Sequence, residues 1–199
     1  MVVCGVAVQS DQELRSIGVK DSKKLSASRR AVIEPQIRRV ARVEVVEVQA
    51  EEIDALRESM TMNELEARVF ATIIERLAPE MAYVDAADAD EAAFGRMVTA
   101  QLRCQARMHS RHKADELFPV VSAASVVAKV ARDARVREIE AEIGRPIGSG
   151  YTSDPKTVSF LRGWIGEKGT FPPHTRRSWA TSQNLMMLNG LRKLDSFEG

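Results

Sequence analysis

Short apolar runs alternate with amphipathic stretches along this chain, and that alternation limits it to a sheet layered with helices. Residues 2–8, VVCGVAV, are apolar and rich in valine, as in a buried strand, and residues 43–49, 81–86 and 104–109 carry further strand signals. Residues 26–41, 51–58, 63–77 and 117–143 read as helices, the first of them despite Pro35. Strands separated by helices imply an α/β layer structure with at least one right-handed crossover. Ser10 with Glu13 spells a capping signature for a short helix after the first strand, and Asp88 with Glu91 is expected to cap the helix after the third. Gly148, Ser149 and Gly150 break the long helix, and Asp154-Pro155 supplies an N-cap followed by proline at the first helical position. Residues from 148 onward read as helical additions, one helix running to about 167 and a last one starting near 177.

A chain of 199 residues closes one substantial core, so residues 1–147 are expected to form the catalytic-type core and residues 148–199 a helical extension of the same unit. Twenty-nine basic against 28 acidic side chains leave a formal charge of +1, so no overall field announces a polyanionic partner. Local clustering must carry that argument. Residues 103–113 hold Arg103, Arg107, Arg111, Lys113, His109 and His112 without an acid, a pattern that fits a solvated face as well as a nucleic-acid contact. Cys4 sits in an apolar run and Cys104 in a strand signal, and buried free thiols in a reducing cytoplasm are expected. No apolar run approaches the roughly twenty residues a membrane span needs, and a soluble protein is expected.

Asp85 directly follows the third apolar run, at a strand end where side chains of an open α/β sheet converge on a crevice. A carboxylate there suits a hard cation, although a simple turn residue would look the same. On the long helix, Ser122, Ser125, Lys129 and Arg132 project within an arc of roughly 80° at about 100° per residue, opposite a stripe of alanine and valine. Hydroxyls and cations in such a row suit consecutive phosphates, and a solvated polar face is the alternative. Asp115, just before that helix, stands as either a second metal ligand or a cap.

Together these segments resemble ribonuclease HII of the compact archaeal kind. The resemblance rests on DSKKL at residues 21–25, MNELE at 62–66, YVDAAD at 83–88, HKAD at 112–115, SAASVVAKVARD at 122–133, GSGYTSDP at 148–155 and FPPHTRRSW at 171–179. It implies a ribonuclease H-like mixed sheet flanked by helices with a C-terminal helical extension. It also implies Mg²⁺- or Mn²⁺-dependent cleavage of RNA/DNA hybrids, and 5′ of ribonucleotides embedded in duplex DNA, leaving 3′-hydroxyl and 5′-phosphate ends. By position, Asp85 and Asp115 match members of the family's four-carboxylate metal site. Lys23, Asn63, Ser125 and Lys129 match substrate and phosphate contacts, with Ser22 and Ser122 weaker matches, and Tyr151 matches the ring that packs on the deoxyribose at an RNA-to-DNA junction.

The chain departs from the family pattern at one place. A first strand reading roughly GVDEAGRGP, which supplies an Asp-Glu pair and a loop that senses the 2′-hydroxyl, has no counterpart in the sequence. That strand is central in the fold, and the expectation is a start assigned too late or, as the alternative, a fragment with little activity. In-line hydrolysis with two ions about 4 Å apart needs more oxygen ligands than two aspartates offer. Two readings therefore stand beside the nuclease: a noncatalytic RNA/DNA hybrid-binding protein, and a nuclease of the same fold that cuts DNA without a ribonucleotide. A monomer, with a replication-clamp contact through the C-terminus, completes the expectations.

Overall fold

The computed structural model describes residues 1–19 and 25–195, the last four of these by backbone alone. The elements run β1 (Val2–Ala7), α1 (Gln12–Ile17), α2 (Ala27–Val40), β2 (Arg42–Glu47), α3 (Ala50–Leu56), α4 (Met62–Leu77) and β3 (Met81–Asp85). They continue through α5 (Glu91–Thr99), β4 (Arg107–Arg111), α6 (Ala114–Leu117), α7 (Pro119–Ile143), α8 (Pro155–Lys168) and α9 (Ala180–Asp195). The fold is α/β, with strands of mixed direction flanked by helices. Contacts divide it into two units, residues 2–47 with 60–132, and residue 1 with 48–59 and the chain from 133 onward.

In the first unit β1 pairs antiparallel with β2, from Val2 opposite Glu47 to Ala7 opposite Arg42. β3 pairs parallel with β4, from Met81 opposite Arg107 to Asp85 opposite Arg111, with α5 as the crossover that a parallel pair requires. Among the described residues these are two separate two-stranded ladders. One face of β1 packs through Cys4 and Val6 against Leu14, Ile33, Ile37, Val126 and Val127. The other face meets α4 so closely that a methyl group on Gly5 would collide with Ile73 and lie 2.8 Å from Leu77 Cδ1. Reciprocal bonds between Thr61 and Glu64 start α4, and the Arg42 guanidinium donates to the carbonyls of Arg76 and Leu77 at 3.1 Å each, satisfying orphan acceptors at its end. β3 is buried through Ala82 and Val84 against Ala67, Ala71, Phe94 and Val98.

Several expected boundaries move, each for a local reason. Asp11, not Ser10, occupies the N-cap position of α1, and Ser10 Oγ accepts from Gln12 N at 3.3 Å, so the expected capping box does not form. Asp90, not Asp88, caps α5, accepting from the amides of Ala92 and Ala93 at 2.9 Å. β4 starts at Arg107 instead of Cys104 because its ladder opens with Arg107 N donating to Glu80 O, at 2.8 Å. The long helix starts at Pro119: proline disfavours helical geometry in the residue before it, and Phe118 is extended (φ −119°, ψ 118°), leaving α6 as a separate turn. Both cysteines are free and partly buried, and burial pushes the Cys4 thiol up to about 12, against a smaller opposing pull from Arg38.

The second unit is helical. Asp154 caps α8 as the sequence implies, accepting from Lys156 N at 2.9 Å, and Leu161, Ile165 and Leu185 form its α8–α9 core. The segment before α9 is strapped to α3, with His174 N donating to Glu51 and the amides of Arg177 and Ser178 donating to Asp54. Those amides are held in a turn, which explains why α9 begins at Ala180 and not near Arg177.

Candidate active site

Asp85 is the last residue of β3, and its Oδ1 accepts a hydrogen bond of 3.1 Å from the backbone N–H of Ala114. Ala114 opens α6 and directly precedes Asp115, whose side chain is buried at 5 % exposure. The two aspartates thus follow neighbouring parallel strands at their C-terminal ends, and one backbone donor ties the first carboxylate to the turn that carries the second. Lys113 makes that turn possible by adopting left-handed backbone geometry (φ 54°) between β4 and α6.

The turn is held from the other side by Glu91. Its carboxylate accepts from the Arg111 guanidinium at 2.6 Å and from His112 N at 2.9 Å, while the His112 ring lies 3.1 Å from Ala89 O. The backbone bond from His112, followed by that from Arg111, keeps this carboxyl below its usual range. The sequence reading gave Glu91 only a capping role. Acid three residues after Asp88 was the available signal, and its actual partners lie about twenty positions further along the chain, beyond the reach of local pattern.

Asn63, in the first turn of α4, donates from Nδ2 to Asp88 Oδ2 at 2.6 Å, so it sits against the loop that leaves Asp85. Asp88 also accepts from Asp90 N at 3.0 Å, and that backbone bond, then the one from Asn63, lowers its carboxyl pKa. On α7, Ser125, Lys129 and Arg132 are all partly buried. Ser122 departs from the expected row: it is 1 % exposed, and its hydroxyl donates to the carbonyl of Val19. The core therefore uses that hydroxyl, and the row of donors begins at Ser125. Lys23, with Asp21 and Ser22, lies outside the described residues.

Tyr151 belongs to the second unit, on the loop between α7 and α8, with its side chain 47 % exposed. Gly148 (φ 75°) and Gly150 (φ 73°) give the loop its left-handed corners. Asp154 Oδ2 accepts from Ser149 N at 2.6 Å, and Thr157 Oγ1 accepts from Gly150 N and donates to Ile147 O, each at 2.9 Å. Bonds from the Ser149 backbone and side chain, then from Lys156 N, hold the Asp154 carboxyl at about 2. The ring thus stands on a loop braced by Asp154 and Thr157.

Chemically, Asp85 and Asp115 offer the hard oxygen donors that Mg²⁺ or Mn²⁺ prefers. Among the described residues no group of three or more His, Cys, Asp or Glu converges as a metal cluster. Aspartates at adjacent strand ends, beside a helix that carries hydroxyl and cationic side chains, form the framework of a nuclease of the ribonuclease H type. The model of the family Ribonuclease HII matches residues 1–182, and the chain belongs to that family.

Similarity to individual proteins agrees. Ribonuclease HII of Methanothrix thermoacetophila is 44 % identical over 188 residues, covering 93 % of this chain and 89 % of its own length. That of Methanoregula boonei is 42 % identical over 197 residues, covering 99 % of this chain and 92 % of its own. Among solved structures, the ribonuclease HII in a PCNA complex from Archaeoglobus fulgidus overlays with a TM-score of 0.86 at 41 % identity, over 92 % of this chain and 88 % of that one. Ribonuclease H2 from Pyrococcus horikoshii overlays with a TM-score of 0.83 at 33 % identity, over 96 % and 99 %. The Bst ribonuclease HIII solved with Mn²⁺ shares the fold at 19 % identity, with a TM-score of 0.77 over 96 % of this chain and 65 % of that one. No helix among the described residues is long and apolar enough to cross a membrane.

Proposed function

We propose that this ribonuclease HII cleaves the RNA strand of RNA/DNA hybrids, and duplex DNA 5′ of an embedded ribonucleotide, with Asp85 and Asp115 holding Mg²⁺ or Mn²⁺. The observation that carries the reading is the bond from Ala114 N to Asp85, which sets the two aspartates at one turn. Divalent ions bound there would lower the pKa of the attacking water and offset charge on the leaving 3′-oxygen. Asp85 and Asp115 orient the ions, Ser125 and Lys129 grip phosphates of the nucleic acid, and Asn63 positions the strand from the side of the β3–α5 loop. Lys23 is assigned to the same substrate contact from its motif, and Tyr151 to packing on the sugar at the RNA-to-DNA junction. Residues 148–199 act as an extension of the same functional unit.

Complete ion binding needs carboxylates beyond this pair, and a further strand carrying an Asp-Glu pair between β1 and β3 would supply them. Support for that position comes from the two ladders, since β1 and β3 each pair on one side only among the described residues. The Archaeoglobus fulgidus relative was solved as a complex with PCNA, which supports a sliding-clamp contact for this chain through its C-terminus. The working form is a monomer in the cytoplasm.

Nicking of duplex DNA bearing one ribonucleotide, in Mg²⁺ or Mn²⁺, tests the proposal on this chain and on a form that carries such a strand. Cleavage 5′ of the ribonucleotide by the form with the strand is expected. Binding without cleavage by both forms would favour a noncatalytic hybrid-binding protein, and equal cutting of all-DNA duplex would overturn ribonucleotide specificity.

A further inference from the structure

The β3–β4 ladder carries a second kind of surface beside Asp85. Its register sets Met81 opposite Arg107, Tyr83 opposite His109 and Asp85 opposite Arg111. Side chains alternate along a strand, so these residues share one face, while Ala82 and Val84 turn into the core. The rings of Tyr83 and His109 stack, with centroids 5.0 Å apart and planes 18° from parallel, and Phe118 lies 4.4 Å from Tyr83 on the same cluster. His109 and Arg107 are exposed, as are Met81 at 48 % and Leu117 at 59 %.

Asp85 closes one end of this face, and its β4 side carries Arg107, His109 and Arg111. Among the described residues Arg107 joins no ion pair, whereas Arg111 is tied to Glu91 at 2.6 Å. An exposed ring stacked on a second ring, with cations beside it, matches what a nucleic acid offers when its base faces are open: a flat π-surface flanked by phosphates. Bases in a duplex have those faces covered by their neighbours.

We propose that this face binds an unpaired nucleic-acid strand, one base stacking on the outer side of His109 while an adjoining phosphate meets Arg107. Asp85 stands two residues along β3 from Tyr83, about 7 Å away, so a strand held here leads to the turn that carries the aspartates. Its placement as a flank of the substrate rests on the nuclease reading, but binding itself does not.

The test is fluorescence anisotropy of a labelled short oligodeoxythymidylate with this chain, without divalent metal, so that cleavage plays no part. Wild-type protein is expected to bind it, His109→Ala to weaken binding by about 5- to 100-fold, and His109→Phe to keep it. Replacing Arg107 by alanine should flatten the slope of log affinity against log salt by about 0.7, one charge's worth. Affinity for blunt duplex DNA should be the same for His109→Ala and wild type. No binding by wild type, wild-type affinity in His109→Ala, or equal loss in His109→Ala and His109→Phe would overturn the proposal. An equal loss for duplex in His109→Ala would overturn it as well. Failure of cleavage with these binding results intact would count against the nuclease reading alone.

Discussion

The Ser122 hydroxyl donates to the carbonyl oxygen of Val19, joining α7 to the residues just after α1 across 103 positions of sequence. Both residues are buried, at 1 % and 0 % exposure, so each polar group depends on the other. Ser122→Ala leaves the Val19 carbonyl without that donor and should cost about 1–3 kcal/mol, read as a lowered urea midpoint with unchanged m-value. Ser125→Ala, at a partly buried position of the same helix, should lose less stability and more hybrid affinity. Equal stability in wild type and Ser122→Ala would refute the assignment of that bond.

Asp85→Asn and Asp115→Asn should each abolish metal-dependent nicking in an active form while hybrid binding in the absence of metal persists. Gel analysis of a single-ribonucleotide duplex gives the first quantity and anisotropy the second. Full activity in either variant removes that residue from the ligand set.

Lys129→Ala should weaken binding to unrelated hybrid sequences alike, because an ammonium that meets phosphate carries no base preference. The slope of log affinity against log salt should shrink by about 0.7–0.9, one counterion's worth. An unchanged slope would place Lys129 away from the phosphates.

Tyr151→Ala should blur the preference for an RNA-to-DNA junction over continuous RNA, the outcome expected of an exposed ring that packs on the deoxyribose as proposed. Comparing cleavage positions on the two substrates decides this, and identical selectivity would dismiss the ring from that role.

Asp154 sets a pH dependence for the loop that bears Tyr151. Its carboxyl is depressed from 3.8 to about 2, so the stabilisation is present above the ordinary carboxylate range and fades as pH falls from about 4 towards 2. Carbon-detected NMR should show Asp154 titrating near 2, and Asp154→Asn should remove this acid-dependent loosening of residues 148–157. A midpoint near 3.8 would contradict the bonding described.

Local pattern made much of this architecture readable in advance. Valine-rich runs gave β1 and β2, the apolar period over 63–77 gave α4, and Asp154-Pro155 marked the start of α8, because each depends on neighbours within a turn or a pleat. The misread boundaries share the opposite property. Asp90 took the cap expected of Asp88 because Asp88 is engaged by Asn63, 25 positions away. Ser122 left the phosphate row because Val19 claims its hydroxyl. The α7 start was legible and missed, since Pro119 itself excludes a helical Phe118.

By itself, the sequence determined an α/β fold of the ribonuclease HII family and marked Asp85 and Asp115 as its acidic candidates, because strand and helix periods and seven ordered motifs are written along the chain. Only tertiary structure decided which polar groups face one another. Ala114 N on Asp85, Glu91 on the turn from Arg111 to His112, and Tyr83 stacked on His109 join residues 20 to 29 positions apart. Parallel pairing of β3 with β4 brings them together, and the register of two strands is set by the core they bury, which no short window of sequence contains.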